Sequence, residues 1–350
     1  MSKQSLASDV ERMANNTPTP YVAKRALPYL DIRYAFITTL VVLLMVLPPG
    51  LIYLEVGASG YLIHVLMYIF MYIAMTSSWN IIGGYAGYVS FGHNVFFAIG
   101  AYLSGVLLVY WGISPFLTAP ISGLVAIGFG LLVGLITLRT RGPAFVLSTI
   151  VLSMLVRLGM DNWDFIGGAN GLSLPLLDIP YRWSKVPFYY GMLILACTAV
   201  WLSHRIWHSK FGLGLRAISQ DEIKAEVAGI HTAFYKILAF GISAFFPAAA
   251  GALWGYSLSY LRPTAFLDIG ISVNMILMAR LGGSRTVAGP VVGVVLLTLL
   301  NELVVWRLGA TELNIAITGL LLMIIVLFFP DGLLGTLKEK GRLPRLFQWE

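Results

Sequence analysis

Three polar side chains fall within five residues of one another in a glycine-rich stretch. They are Ser90, His93 and Asn94, inside Gly83-Gly-Tyr-Ala-Gly-Tyr-Val-Ser-Phe-Gly-His-Asn-Val-Phe-Phe-Ala-Ile-Gly-Ala-Tyr102. A hydroxyl, an imidazole and an amide among apolar neighbours suit the passage of a small solute, which needs a greasy route with a few polar groups. With Tyr88, they are the candidates for a substrate path. The glycines Gly84, Gly87 and Gly92 permit a broken or tightly packed helix, and irregular backbone at membrane depth is tolerated only where it is buried or lines a cavity. A turn followed by a closely packed helix fits the same residues equally well. The chain has no Walker A cradle, no HExxH, no GxSxG and a single cysteine. No catalytic or metal site of its own is therefore expected, and no ATP site.

Two further segments stand out. Ser209 to His231 mixes charge with glycine: Arg216, Asp221, Glu222, Ala225, Glu226 and Gly229 lie in it. Asp221 and Glu222 suit a helix N-terminus and Gly229 its end, giving a short amphipathic helix able to dock another protein. Residue chemistry alone favours an ordinary solvated loop there. In Leu281-Gly-Gly-Ser-Arg-Thr-Val-Ala-Gly-Pro-Val-Val-Gly293, the glycines Gly282, Gly283 and Gly289 read best as tight packing between two helices.

The elements that position these residues are membrane spans. Of 350 residues, 58% are hydrophobic and 11% charged, with a mean hydropathy of +0.82. A soluble domain carries about 25% charged residues. The apolar runs are long and do not alternate, which selects helices over barrel strands. The fold expected is all-α, a polytopic bundle of about ten transmembrane helices near 34–54, 61–82, 90–111, 115–138, 143–160, 187–206, 237–259, 267–281, 287–306 and 313–330. Pro247 is expected to kink the seventh. With both termini in the cytoplasm, 18 of the 23 basic residues fall inside, satisfying the positive-inside rule. That bias accounts for the net charge of +7 without a nucleic-acid partner. The organisation expected is a cytoplasmic segment 1–33 with no cleavable signal peptide, a transmembrane domain 34–330 containing a cytoplasmic loop 207–236, and a cytoplasmic tail 331–350. Trp79, Trp111, Trp207 and Trp306 read as interfacial anchors, and Cys197 as a small packing residue. Few ionisable residues lie within spans: His64, His93, Arg157 and Glu302.

Taken together, the three segments resemble the LivM-type permease subunit of branched-chain amino acid ABC importers. Gly84-Tyr85-Ala86-Gly87, Ser90, Gly92-His93, Phe96-Phe97 and Ile99-Gly100-Ala101-Tyr102 match its GYAGxxSxGHxxFFxIGAY pattern. Gly212, Arg216-Ala217-Ile218, Glu222-Ile223, Ala225-Glu226 and Gly229-Ile230 resemble its coupling loop, and Pro330 to Gly335 its ending. The pattern is departed from at Ser284-Arg285, where Leu-Gly is usual, and at Tyr88, where Gln is common. The resemblance implies import of branched-chain or related amino acids through the bacterial inner membrane. It also implies a second LivH-like permease subunit, two cytoplasmic ATP-binding subunits that use the ATP, and a periplasmic solute-binding protein. Surrounding lipid is the remaining partner, and no cofactor is expected in this chain. A urea or short-chain amide importer is a close alternative. An ion-coupled secondary transporter is a more distant one, because buried ionisable groups are scarce.

Overall fold

The structure is a computed structural model that describes residues 27–53, 59–308, 319, 320, 323 and 332–339. Leu27–Tyr53 forms helix α1, whose apolar portion is Val41–Tyr53. The rest is a separate helical body. Its helices are α2 (Ser59–Asn80), α3 (His93–Trp111), α4 (Pro115–Thr137), α5 (Pro143–Asp161) and α6 (Val186–Trp207). Then come α7 (Lys210–Gln220), α8 (Glu222–Val227), α9 (Thr232–Leu258), α10 (Pro263–Phe266), α11 (Ile269–Gly282), α12 (Gly289–Leu308) and α13 (Gly332–Glu339). Two-residue strands β1 (Leu172–Ser173) and β2 (Tyr260–Leu261) pair antiparallel, with Leu172 opposite Leu261.

Eight helical stretches among the described residues are long and apolar enough to cross a membrane. They coincide with the second to ninth expected spans, and the all-helical bundle stands. The first expected span, 34–54, falls on α1 except for residue 54, and the tenth, 313–330, lies almost wholly outside the described residues.

The helices pack through small residues, since lipid supplies no hydrophobic drive between apolar surfaces. On α3 and α9 the close approach is mutual. A Cβ on Gly100 would strike the Ala248 carbonyl, and one on Gly251 would strike the Phe97 carbonyl. The α11–α12 hairpin closes similarly, Gly282 lying against the backbone of Gly289 and Gly293.

Pro247 has no N–H to give the carbonyl four residues back. That carbonyl belongs to Ser243, and the Ser78 hydroxyl of α2 donates to it at 2.9 Å. The proline thus opens a bonding site on α9 that α2 fills.

Three expectations are corrected. Trp79 is no interfacial anchor: it is fully buried, and its indole N–H donates to the Ser90 carbonyl at 2.9 Å. Cys197 is exposed on α6, so it fills no packing niche. The seventh span begins at Thr232, five residues before the expected 237. Lys236 lies inside the helix because its charge is neutralised locally.

Candidate functional site

α2 does not end cleanly. Its last turn widens into a π-helical turn, Ile81–Tyr85, and the chain then runs without regular helix until His93 starts α3. This break sits inside the bundle. One of its bonding partners, Ser243, lies eleven residues into α9, about 16 Å along a helix of roughly 40 Å.

Exposed backbone at such depth is costly unless every group is paired. Here the pairing is supplied largely by side chains. The Tyr88 N–H donates to the Ile82 carbonyl at 3.1 Å. The Phe91 N–H donates to Thr149 Oγ1 of α5 at 3.1 Å, and the Gly92 N–H to Ser90 Oγ at 3.2 Å. The Asn94 N–H donates to Ser272 Oγ of α11 at 3.0 Å.

The polar side chains of the break are equally engaged. Ser243 donates its hydroxyl to the Phe240 carbonyl at 2.8 Å, so His93 Nε2 is the donor in the 3.0 Å contact with Ser243 Oγ. His93 Nδ1 then accepts from Ser90 Oγ at 3.3 Å. Asn94 Nδ2 donates to Ser153 Oγ of α5 at 2.7 Å and to the Leu267 carbonyl at 2.9 Å. Ser272 Oγ donates to Asn94 Oδ1 at 3.3 Å. Ser90, His93 and Asn94 are fully buried and tie α3 to α5, α9 and α11.

Tyr88 lies at the other end of the break and faces a different group. Its hydroxyl donates to Glu222 Oε2, the first residue of α8. Lys236 of α9 pairs with Glu222 Oε1 at 2.6 Å and also donates to Tyr88 Oη at 3.2 Å and to the Leu138 carbonyl at 3.4 Å. Arg141 Nε, from the turn between α4 and α5, reaches Glu222 Oε2 at 3.2 Å. The Lys236 and Glu222 side chains are only 5% and 10% exposed. Burial pushes the Glu222 carboxyl up. The hydrogen bonds from Lys236 and Tyr88 and the charges of Lys236 and Arg141 outweigh that and hold it below the ordinary glutamate value. Burial, then the bond to the Glu222 carboxylate and its charge, keeps the Tyr88 phenol well above its ordinary value, so it remains a donor. A crevice of about 460 Å³ opens beside the pair, lined in part by Arg139, Arg141, Glu226 and Ile237.

Asp221 caps α8 by accepting from the Ile223 and Lys224 N–H groups at 3.0 and 3.1 Å. Those bonds and the Lys224 ammonium lower its carboxyl pKa. Gly229, at φ 87°, turns the chain toward α9. Ala225 lies on the buried face of α8, while Ile223 and Val227 are 64% and 86% exposed. Arg216 of α7 is held elsewhere, its guanidinium 4.2 Å from the Trp207 ring centroid.

A family model described as "Branched-chain amino acid transport system / permease component" matches residues 61–327. The chain belongs to that permease family. It is a multi-pass membrane protein of the ABC permease family, and such permeases lack ATPase domains. Among curated relatives it is similar to the "High-affinity branched-chain amino acid transport system permease protein LivM" of Escherichia coli K12. The two are 26% identical over 300 residues, covering 78% of this chain and 70% of that one. A probable LivM of Methanocaldococcus jannaschii is 24% identical, covering 77% and 92% of the two chains. The "Autoinducer 2 import system permease protein LsrC" of Yersinia pseudotuberculosis is 28% identical over 64% of this chain and 63% of that one. No solved structure matches.

The permease brings the candidate residues together as two clusters. Ser90, His93 and Asn94 form one inside the bundle, and Tyr88 joins Glu222 in the other. Asp221, Ala225, Glu226 and Gly229 lie on or beside α8, with Arg216 apart on α7. Gly84 and Gly92 are buried against Ser284 and Thr149, whereas Gly283 and Gly289 shape the α11–α12 turn. The partners Ser153, Ser243, Ser272, Arg141 and Lys236 were missed by sequence reasoning as site residues. The available signal was a lone lysine at the start of an apolar run and small hydroxyls inside others.

Proposed function

We propose that this permease is the pore-forming subunit of an ATP-binding-cassette importer that moves branched-chain amino acids into a bacterial cell. It sits in the inner membrane with both termini cytoplasmic, 331–350 forming the tail. It pairs with a LivH-like permease subunit, two cytoplasmic ATP-binding subunits and a periplasmic binding protein. The observation that carries this reading is α8. A short capped helix presents Ile223 and Val227 outward, while Glu222 at its start is bonded to the broken span. The 207–236 region is then the coupling loop, with α8 docking on an ATPase subunit and the ATPase hydrolysing the ATP. The solute route follows the break. When α5, α9 and α11 part, Ser90, His93 and Asn94 offer it a hydroxyl, an imidazole and an amide.

The test is labelled leucine uptake in cells with and without this gene, with ATP depleted in a parallel sample. Isoleucine, valine, glutamate, urea and ribose serve as competitors. Loss of ATP-dependent leucine uptake that isoleucine and valine block supports the reading. Unchanged leucine uptake with loss of urea uptake assigns the permease to short-chain amides. Uptake that follows an ion gradient and survives ATP depletion sinks the importer reading. Labelling of a cysteine introduced at Val227 in a Cys197→Ser background, accessible from the cytoplasmic face, tests the orientation.

A further inference from the structure

Four separate stretches of chain converge on the Lys236 ammonium. They are the break through Tyr88, the end of α4 through the Leu138 carbonyl, α8 through Glu222, and α9, which carries the lysine itself. Burying an ammonium and a carboxylate together is expensive, and replacing such a pair with apolar groups is often neutral or stabilising. The pair is therefore better explained by what it positions than by what it stabilises. Glu222 opens α8, so its carboxylate moves whenever that helix moves. One oxygen is held by Lys236, and the other by Tyr88 and Arg141. Tyr88 stands at the start of the break, whereas the end of the break is fixed to the same α9 helix by the His93–Ser243 bond.

We propose that Lys236 is a positioning residue that, through Glu222 and Tyr88, transmits displacement of α8 to the broken span. This rests on the proposed function, in which an ATPase subunit moves α8. The exposed face of α8, Ile223 and Val227, points away from the pair and remains available for docking whether or not the pair is intact. The positioning role thus predicts loss of coupling without loss of assembly.

The experiment uses the whole complex, purified through a tag on this chain and reconstituted in liposomes with its binding protein. Leucine uptake and ATP hydrolysis are measured on the same preparation. In Lys236→Met the ATPase subunits stay bound and hydrolysis continues, while the ATP used per leucine rises about tenfold, a typical coupling factor. Lys236→Arg, which keeps the charge, restores most of the ratio. Tyr88→Phe removes one hydroxyl without stranding a charge and carries the test if Lys236→Met does not fold. It raises the ratio by about fivefold, at the low end of such factors. Proportional loss of uptake and hydrolysis in both variants is the signature of a structural role and overturns the proposal. So does an unchanged ratio in both. If the unaltered complex moves no leucine at the expense of ATP, the proposed function fails, and this inference fails with it.

Discussion

Lys236 and Ser243 stand seven residues apart on α9, and between them they hold both ends of the broken span. Two turns of helix separate them by about 10 Å. The stretch from Tyr88 to His93, which lacks helical bonds of its own, is thereby referenced to one rigid element.

Ser78 and Pro247 are predicted to be energetically coupled. In the native chain Ser78→Ala strands the Ser243 carbonyl, at a cost of about 1–3 kcal/mol. In a Pro247→Ala background the new backbone N–H can take that carbonyl, and the same substitution costs under about 1 kcal/mol. A double-mutant cycle on thermal unfolding in detergent measures the difference. Equal costs in the two backgrounds would show that Ser78 does not serve the gap left by the proline.

His93 is predicted to be a structural tie at rest, whatever it does during transport. His93→Leu removes the imidazole that bonds Ser243 and Ser90 and leaves their hydroxyls buried. It lowers stability by roughly 2–3 kcal/mol. Ser243→Ala, which leaves the ring nitrogen without an acceptor, costs about 1–2 kcal/mol. Unfolding midpoints unchanged in both variants would contradict the geometry.

Gly100 and Gly251 are predicted to be intolerant of any larger side chain. Each lies where a Cβ meets a backbone carbonyl, which cannot rotate away as a side chain does. Gly100→Val forces α3 from α9 and costs about 3 kcal/mol, the upper end for overpacking. Gly128 has open space at its Cβ position, so Gly128→Val should be far milder there. The comparison reads the folded fraction of each variant in membranes.

Acid is predicted to loosen α8 late. The Glu222 carboxyl lies below its ordinary value of 4.5 in the folded chain. Its contribution to stability is fully present above that unfolded value and is lost as the pH falls through the lower folded one. Amide exchange in α8, corrected for intrinsic rate, should stay flat down to about pH 4.5 and rise below it. In Glu222→Gln that step shrinks to the part due to protonation of the Asp221 cap, whose carboxyl is also held below its ordinary value. A step of the same size in both proteins would assign the transition to another group.

Much of this architecture is legible in order along the chain. The long apolar runs locate the eight described spans to within a few residues, because a bilayer demands length and internally paired backbone of each span separately. The start of α9 was missed because Lys236 looks like the charged edge of a loop. It is a buried residue whose partner, Glu222, lies fourteen positions earlier, beyond the reach of a hydropathy window. Trp79 was misjudged for a similar reason, as nothing local shows that the chain folds back to place the Ser90 carbonyl against its indole.

The sequence by itself determined that the chain is a helical membrane permease. Composition and span length are properties of contiguous residues set by local physics, and the motifs around Gly84–Tyr102 and Arg216–Ile230 are contiguous too, though they point to a permease only through the family they resemble. The tertiary structure alone decided what the polar residues touch. Hydrogen bonds and ion pairs need partners within about 3 Å, and here those partners come from helices far apart in the chain: Ser243 for His93, Ser153 and Ser272 for Asn94, and Glu222 for Tyr88. Which helix faces which is set by the packing of glycines against carbonyls, a relation between surfaces that no single segment carries.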